Sequence, residues 1–172
     1  KPSDLLPESG SSCLYLGAST GGTVSHIHDH VCGSGNHHEG HVVAVDISPR
    51  MMRDLVKLSE KRSGLIPVLA DARKPMAIAP YMREKATWLH QDLSIGDQAE
   101  TFVKMTGAFL AQGGVALLSL KAASERWMEG GDLARFEHSK RIIEACEHLD
   151  LIETIDISVF EEQHVVFFCI KK

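Results

Sequence analysis

Apolar runs of strand length alternate with amphipathic, helix-length segments along nearly the whole chain, and this alternation restricts the possible folds more than any other feature. The runs cover residues 13–18, 41–47, 65–70, 87–92, 114–120, 151–157 and 164–170. The first five are continuous and rich in Val, Leu and Ile, as parallel strands covered on both faces require. Between them, residues 49–62 place Met52, Leu55, Val56 and Ser59 on one helical face, and residues 97–112 do the same with Ala99, Phe102, Val103 and Thr106. Ser48 before Pro49 reads as an N-cap followed by proline in the first turn. Asp97 and Glu100 have the spacing of a capping box, and Gly113-Gly114 reads as the stop of that helix. Repeated βα units predict an α/β fold with right-handed crossovers and helices on both faces of the sheet. The last two runs are separated only by residues 158–163, too few for a crossover helix, so they predict an antiparallel hairpin closing a seven-stranded, mostly parallel sheet.

A chain of 172 residues is one domain by this reading, 1–172, large enough to bury a core without disulfides or a structural metal. Cys13, Cys32, Cys146 and Cys169 form no C-x-x-C pair, which suits reduced thiols. No run approaches the roughly 18 apolar residues of a membrane span. The opening Lys-Pro-Ser-Asp does not resemble a secretory leader. Eighteen Lys and Arg against 23 Asp and Glu give a net charge of −5. Phosphate neutralisation by the domain as a whole is therefore not expected, and any nucleic acid must be held by a local patch or by partners.

The chemistry-bearing residues fall at strand ends. The first strand runs into Leu14-Tyr15-Leu16-Gly17-Ala18-Ser19-Thr20-Gly21-Gly22-Thr23, where glycines permit a positive φ and close approach of a ligand to the backbone. N–H groups at the following helix start favour a carboxylate. The second strand ends at Asp46, placed to accept two ribose hydroxyls, and the third at Asp71-Ala72. Asp92 closes the fourth strand and Lys121 the fifth, so a carboxylate and an amine meet at neighbouring strand ends and can act on a substrate hydroxyl. His164, opening the last strand, can reach the same edge. The Gly- and His-rich stretch 32–41, with His37, His38 and His41, lacks the spacing of a zinc site and reads as a solvated loop, so no metal is expected.

Residues 14–23, Thr23-Val24-Ser25-His26, 43–50 with Ser48-Pro49-Arg50, 66–75 (IPVLADARKP), 91–98, 113–122 and 164–167 together resemble the fibrillarin family. The resemblance implies a Rossmann-like fold dependent on S-adenosyl-L-methionine (AdoMet), with cofactor binding by Gly17, Ala18, Thr23, Asp46, Ile47, Asp71, Ala72 and Asp92. It implies catalytic roles for Asp92, Lys121 and His164, three members of a Lys-Asp-Lys-His set. The implied activity is ribose 2′-O-methylation of rRNA or tRNA. The implied partners are a box C/D guide RNA, a Nop-family scaffold and a kink-turn-binding ribosomal-type protein, with no membrane. The implied setting is the cytoplasm for an archaeal-type member, the nucleolus for a eukaryotic one. The family's N-terminal β-rich region and the first lysine of the set find no match here. Ile47 replaces an aromatic-type residue, and Leu93-Ser94-Ile95-Gly96 replaces Val-Ala-Gln-Pro. A stand-alone methyltransferase on protein or small molecules, and a non-catalytic AdoMet-binding subunit, remain the alternatives at this level.

Overall fold

The computed structural model describes residues 5–125, 128–157 and 163–172. Seven strands form one sheet: β1 (Ser12–Leu16), β2 (His41–Asp46), β3 (Leu65–Leu69), β4 (Ala86–Gln91), β5 (Leu110–Lys121), β6 (Leu149–Asp156) and β7 (His164–Lys171). Their order is β3-β2-β1-β4-β5-β7-β6. The first five pair in parallel, whereas β7 runs antiparallel between β5 and β6. The expected architecture and its closing antiparallel pair are therefore present, although most of the 158–163 connection lies outside the described residues.

Helices cover both faces. On one side α1 (Gly22–Cys32) and α2 (Pro49–Ser59) pack Val24, Ile27, Met52 and Leu55 against Cys13, Tyr15, Val42, Ala44 and Trp88. On the other, α3 (Pro75–Ile78), α4 (Gln98–Phe109) and α5 (Asp132–Glu144) close over Leu14, Leu16, Val43, Val45 and Leu118 with Ile78, Phe102, Met105 and Ile143. Every residue of β1 is buried, which explains why its sequence is continuously apolar rather than alternating. Pro67, which cannot donate to a ladder, sits in the edge strand β3.

Local signals held in part. Ser48 caps α2 by accepting the Met51 N–H. Asp97 stands at the N-cap position of α4, but its side chain makes no capping bond. The helix also ends earlier than its pattern suggests, at Phe109, and Gly113-Gly114 lie inside β5. Between the pairs Ala86–Leu110 and Trp88–Val115, β5 advances five residues while β4 advances two. The surplus forms an irregularity that Gly113, at φ 73°, accommodates. Leu110 is buried as the first residue of β5, paired with Ala86, and this placement outweighs the helical pattern. Residues 33–40 form a connection between α1 and β2 that contains one short 3₁₀ turn, Ser34–Asn36. No helix among the described residues is long and apolar enough to cross a membrane.

Candidate active site

The chain order reverses between β1 and β4, and a crevice opens there at the carboxyl ends of the strands. Its volume is about 680 Å³, and it is lined by residues from the ends of β1 to β5. Gly17, Asp46, Ile47, Asp71, Ala72, Asp92 and Lys121 all contribute to its wall, as their strand-end positions predict.

Gly17 is irreplaceable at the floor. It has φ 91°, and a Cβ placed on it would lie 2.0 Å from the Asp92 carbonyl oxygen. The chains of β1 and β4 are joined at this point by the Asp92 N–H, which donates to Leu16 O at 2.8 Å. A tight crossing between the glycine turn and the acidic turn thus defines where Asp92 starts.

The two cofactor-type acids are partly saturated in different ways. Asp46 accepts the Ser19 N–H on Oδ2 and the Ser48 N–H on Oδ1, both at 2.8 Å. A carboxylate offers about four lone-pair sites, so one is left on each oxygen: the valence needed for a vicinal diol. Asp71 is clasped by Arg73, whose backbone N–H and Nε reach Oδ1 at 2.9 and 3.0 Å while Nη2 reaches Oδ2 at 3.0 Å. One acceptor site remains, on Oδ2. The hydrogen bonds from Arg73 hold the Asp71 carboxyl below the usual carboxylate range. Exposed Ile47 (62%) offers an apolar surface beside these acids. This acceptor set fits an adenosine: two acceptors for a diol, one for an exocyclic amine and an aliphatic face for a ring.

At the other end, Lys121 Nζ lies 2.7 Å from Asp92 Oδ1 and 3.4 Å from Ser94 Oγ. The two side chains are 24% and 34% exposed, so the amine is sheltered by its partner yet open to an incoming hydroxyl. His164 is the cross-strand partner of Lys121. Both the N–H and the C=O of Lys121 turn away from β7 to Gln98. The pair is therefore the non-hydrogen-bonded kind, in which Cα atoms stand about 4.5 Å apart and side chains are closest.

Below this edge, His90 donates to or accepts from Ser119 Oγ at 2.8 Å, and its ring meets that of Tyr15 at 4.8 Å edge-on. Burial lowers its pKa to about 4.

Three expected residues do not line the crevice. Ala18 is buried behind it, its N–H donating to Val45 O at 2.9 Å. Thr23 is exposed on the first turn of α1, and His164 stands beside Lys121 rather than on the wall. Ser19, Ser48, Met51, Ala70, Arg73, Leu93, Ser94 and Ile95 do line it. Of these, Arg73 had a sequence signal, a basic side chain two residues after a strand-end acid. Among the described residues no group of three or more His, Cys, Asp or Glu side chains is arranged to hold a metal ion.

The fibrillarin family model matches residues 3–172. Over 158 residues the chain is 36% identical to the fibrillarin-like rRNA/tRNA 2′-O-methyltransferase of Methanococcus voltae, covering 92% of this chain and 65% of that protein. The protein of the same name from Methanocaldococcus jannaschii is 35% identical, with 91% and 64% covered. The chain thus spans about 65% of the length of these curated relatives. Among solved structures, the Methanococcus jannaschii fibrillarin pre-rRNA processing protein superposes with a TM-score of 0.84 at 34% identity, covering 95% of this chain and 67% of that one. Aeropyrum pernix fibrillarin, solved with natively bound S-adenosyl-L-methionine, gives 0.79 at 26% identity, with 95% and 67% covered. A fibrillarin/Nop5p complex gives 0.84 at 26% identity, with 95% and 73% covered.

Proposed function

The chain belongs to the fibrillarin family, and from that premise we propose that it is an AdoMet-dependent ribose 2′-O-methyltransferase that modifies rRNA or tRNA under the direction of a box C/D guide RNA. The observation that carries this reading is the Lys121–Asp92 pair, set at 2.7 Å on the rim of a crevice whose other end presents the diol-type acceptors of Asp46.

Asp46 would hold the ribose of AdoMet, Asp71 and Ala72 the adenine edge, and Ile47 its face. Gly17 and Asp92 would bound the sulfonium end, with Ala18 and Thr23 on the β1–α1 side. AdoMet supplies, when bound, an electrophilic methyl group. Everything else falls to the protein. Lys121 Nζ offers an N–H to the substrate 2′-oxygen while the hydroxyl proton passes to water, and so stabilises the developing negative charge. Asp92 fixes the direction of that amine. His164, opposite Lys121 on the ladder but off the crevice wall, would act from beside that amine.

The net charge of −5 suits an enzyme whose RNA is gripped by other components. Those components are a Nop-family scaffold, a kink-turn-binding ribosomal-type protein and the guide RNA. The archaeal sources of the compared fibrillarins favour the cytoplasmic setting over the nucleolar one. Reconstitution with scaffold and guide RNA, followed by mapping of methylated riboses, tests the reading. Methylation should appear only at the guide-specified ribose and should move when the guide is changed. Methylation that ignores the guide, or that falls on protein or small molecules, would overturn it.

A further inference from the structure

Lys121 lies beyond the end of the parallel ladder. The β4–β5 register stops at Gln91 and Leu118, so the backbone of Lys121 has no strand beside it on the β4 side. Gln98, the first residue of α4, fills the place of that strand. Its Oε1 accepts the Lys121 N–H and its Nε2 donates to Lys121 O, each at 3.0 Å. A side-chain amide thus reproduces the two-point pairing of a peptide group.

The same residue is tied to the acid-bearing turn. Gln91, immediately before Asp92, donates from Nε2 to Gln98 O at 2.8 Å. Glu125, four residues after Lys121, accepts from the Gln98 N–H at 3.3 Å and from Nε2 at 2.9 Å through one oxygen, Oε1. Gln91 and Gln98 are fully buried, and Glu125 is 3% exposed. Gln91 Oε1 has no partner among the described residues, but the bonds joining Gln98 to Lys121 and Glu125 favour one geometry, because moving Gln98 leaves their donors and acceptors unmatched.

We infer that Gln98 is a positioning residue, joining the end of β4 to the end of β5 and thereby setting the separation of Asp92 and Lys121. It touches neither substrate nor cofactor and acts through the main chain of Lys121. The role rests on the proposed ribose methylation, but the geometry it controls can be measured without turnover.

Gln98→Met retains size and removes three side-chain hydrogen bonds, two to Lys121 and one to Glu125. In the complete gene product assembled with scaffold and guide RNA, it should lower kcat roughly 10- to 100-fold. The AdoMet dissociation constant should stay within about threefold, because Gln98 lies off the crevice wall. Acetic anhydride labelling of Lys121, read by mass spectrometry on the free protein, should quicken relative to other lysines as the amine leaves Asp92. Unchanged kcat and unchanged labelling in a folded variant would sink the inference, as would a parallel loss of kcat and AdoMet affinity. Gln98→Asn, one methylene too short to span the gap, gives the same readings where the Met variant does not fold. In the unmutated protein the Lys121 amide should exchange with solvent about 10²-fold or more slowly than an open amide, although it lies outside the ladder. Fast exchange there overturns the proposal without any variant. If the unmutated particle transfers no methyl group, the ribose-methylation reading fails alone, and labelling and exchange still decide the role of Gln98.

Discussion

The Lys121 amine reaches the Asp92 carboxylate across the end of the sheet, 2.7 Å away, from a strand whose pairing with β4 stopped at Leu118. The pair therefore owes its geometry to the turns beyond the strands as much as to the sheet itself. Lys121 closes β5 and Asp92 follows β4, so each can be mutated alone, and the end of the crevice proposed to hold the cofactor serves as an internal control.

Lys121→Ala should cut methyl transfer by roughly 10²–10⁴-fold, the usual worth of a positioned acid–base group. AdoMet affinity should change little, because the diol and amine acceptors are on Asp46 and Asp71. Single-turnover kinetics together with calorimetric titration of AdoMet separate the two effects. Preserved turnover in saturating cofactor would remove Lys121 from the chemistry.

Asp46→Asn should act in the opposite sense. It keeps the size of the side chain but replaces one acceptor oxygen with a donor, in a group that already accepts two backbone N–H bonds. AdoMet binding should weaken about 10- to 100-fold, the range for one hydrogen bond to a charged acceptor. The rate at saturating AdoMet should be largely kept, and titration calorimetry with kcat measurements provides the check.

Gly17→Ala should damage both properties. The new Cβ would meet the Asp92 carbonyl oxygen at 2.0 Å, and φ 91° is itself unfavourable for alanine. The backbone strain alone is worth about 1–3 kcal/mol. Urea unfolding should report that loss, and AdoMet affinity should fall as Asp92 is displaced. A variant of unchanged stability would mean that β1 and β4 can separate at this point without cost.

Folding stability should also fall in mild acid through His90. Burial holds this imidazole neutral, with its pKa lowered to about 4 from an ordinary value near 6.5. Asp92 opposes that shift and Lys121 adds to it, while Tyr15, Trp88 and Ser119 pack around the ring. Between those values the unfolded chain binds the extra proton and the folded chain does not. Stability is therefore retained above about pH 6.5 and lost as pH falls toward 4, with a slope of up to roughly 1.4 kcal/mol per pH unit from this group. His90→Gln should flatten the profile by up to one proton, as measured by urea midpoints at successive pH values. An identical slope in the variant would contradict the assignment.

Asp46, Asp71, Asp92 and Lys121 were legible in the chain because each directly follows or ends an apolar run, and parallel strands must end together at one edge. Gly17 was legible for the same reason. By contrast, Gln98 and Glu125 read as ordinary polar residues at a helix start and in a loop. Their burial depends on β4 ending three residues short of Lys121, which no local pattern records. Asp97 illustrates the reverse: its spacing to Glu100 suggests a cap, yet its side chain makes no capping bond. Leu110 likewise left the helical pattern because a buried place in the sheet, beside Ala86, was available.

The amino-acid order by itself determined the α/β alternation, the antiparallel finish and the residues at the strand ends, since burial on two faces and short connections leave a local imprint. Only the tertiary structure decided which lone pairs of Asp46 and Asp71 remain open, that His164 stands off the crevice wall and what holds Lys121 beyond its ladder. Those are contacts between residues distant in sequence, fixed by packing and by the requirement that buried polar groups be paired.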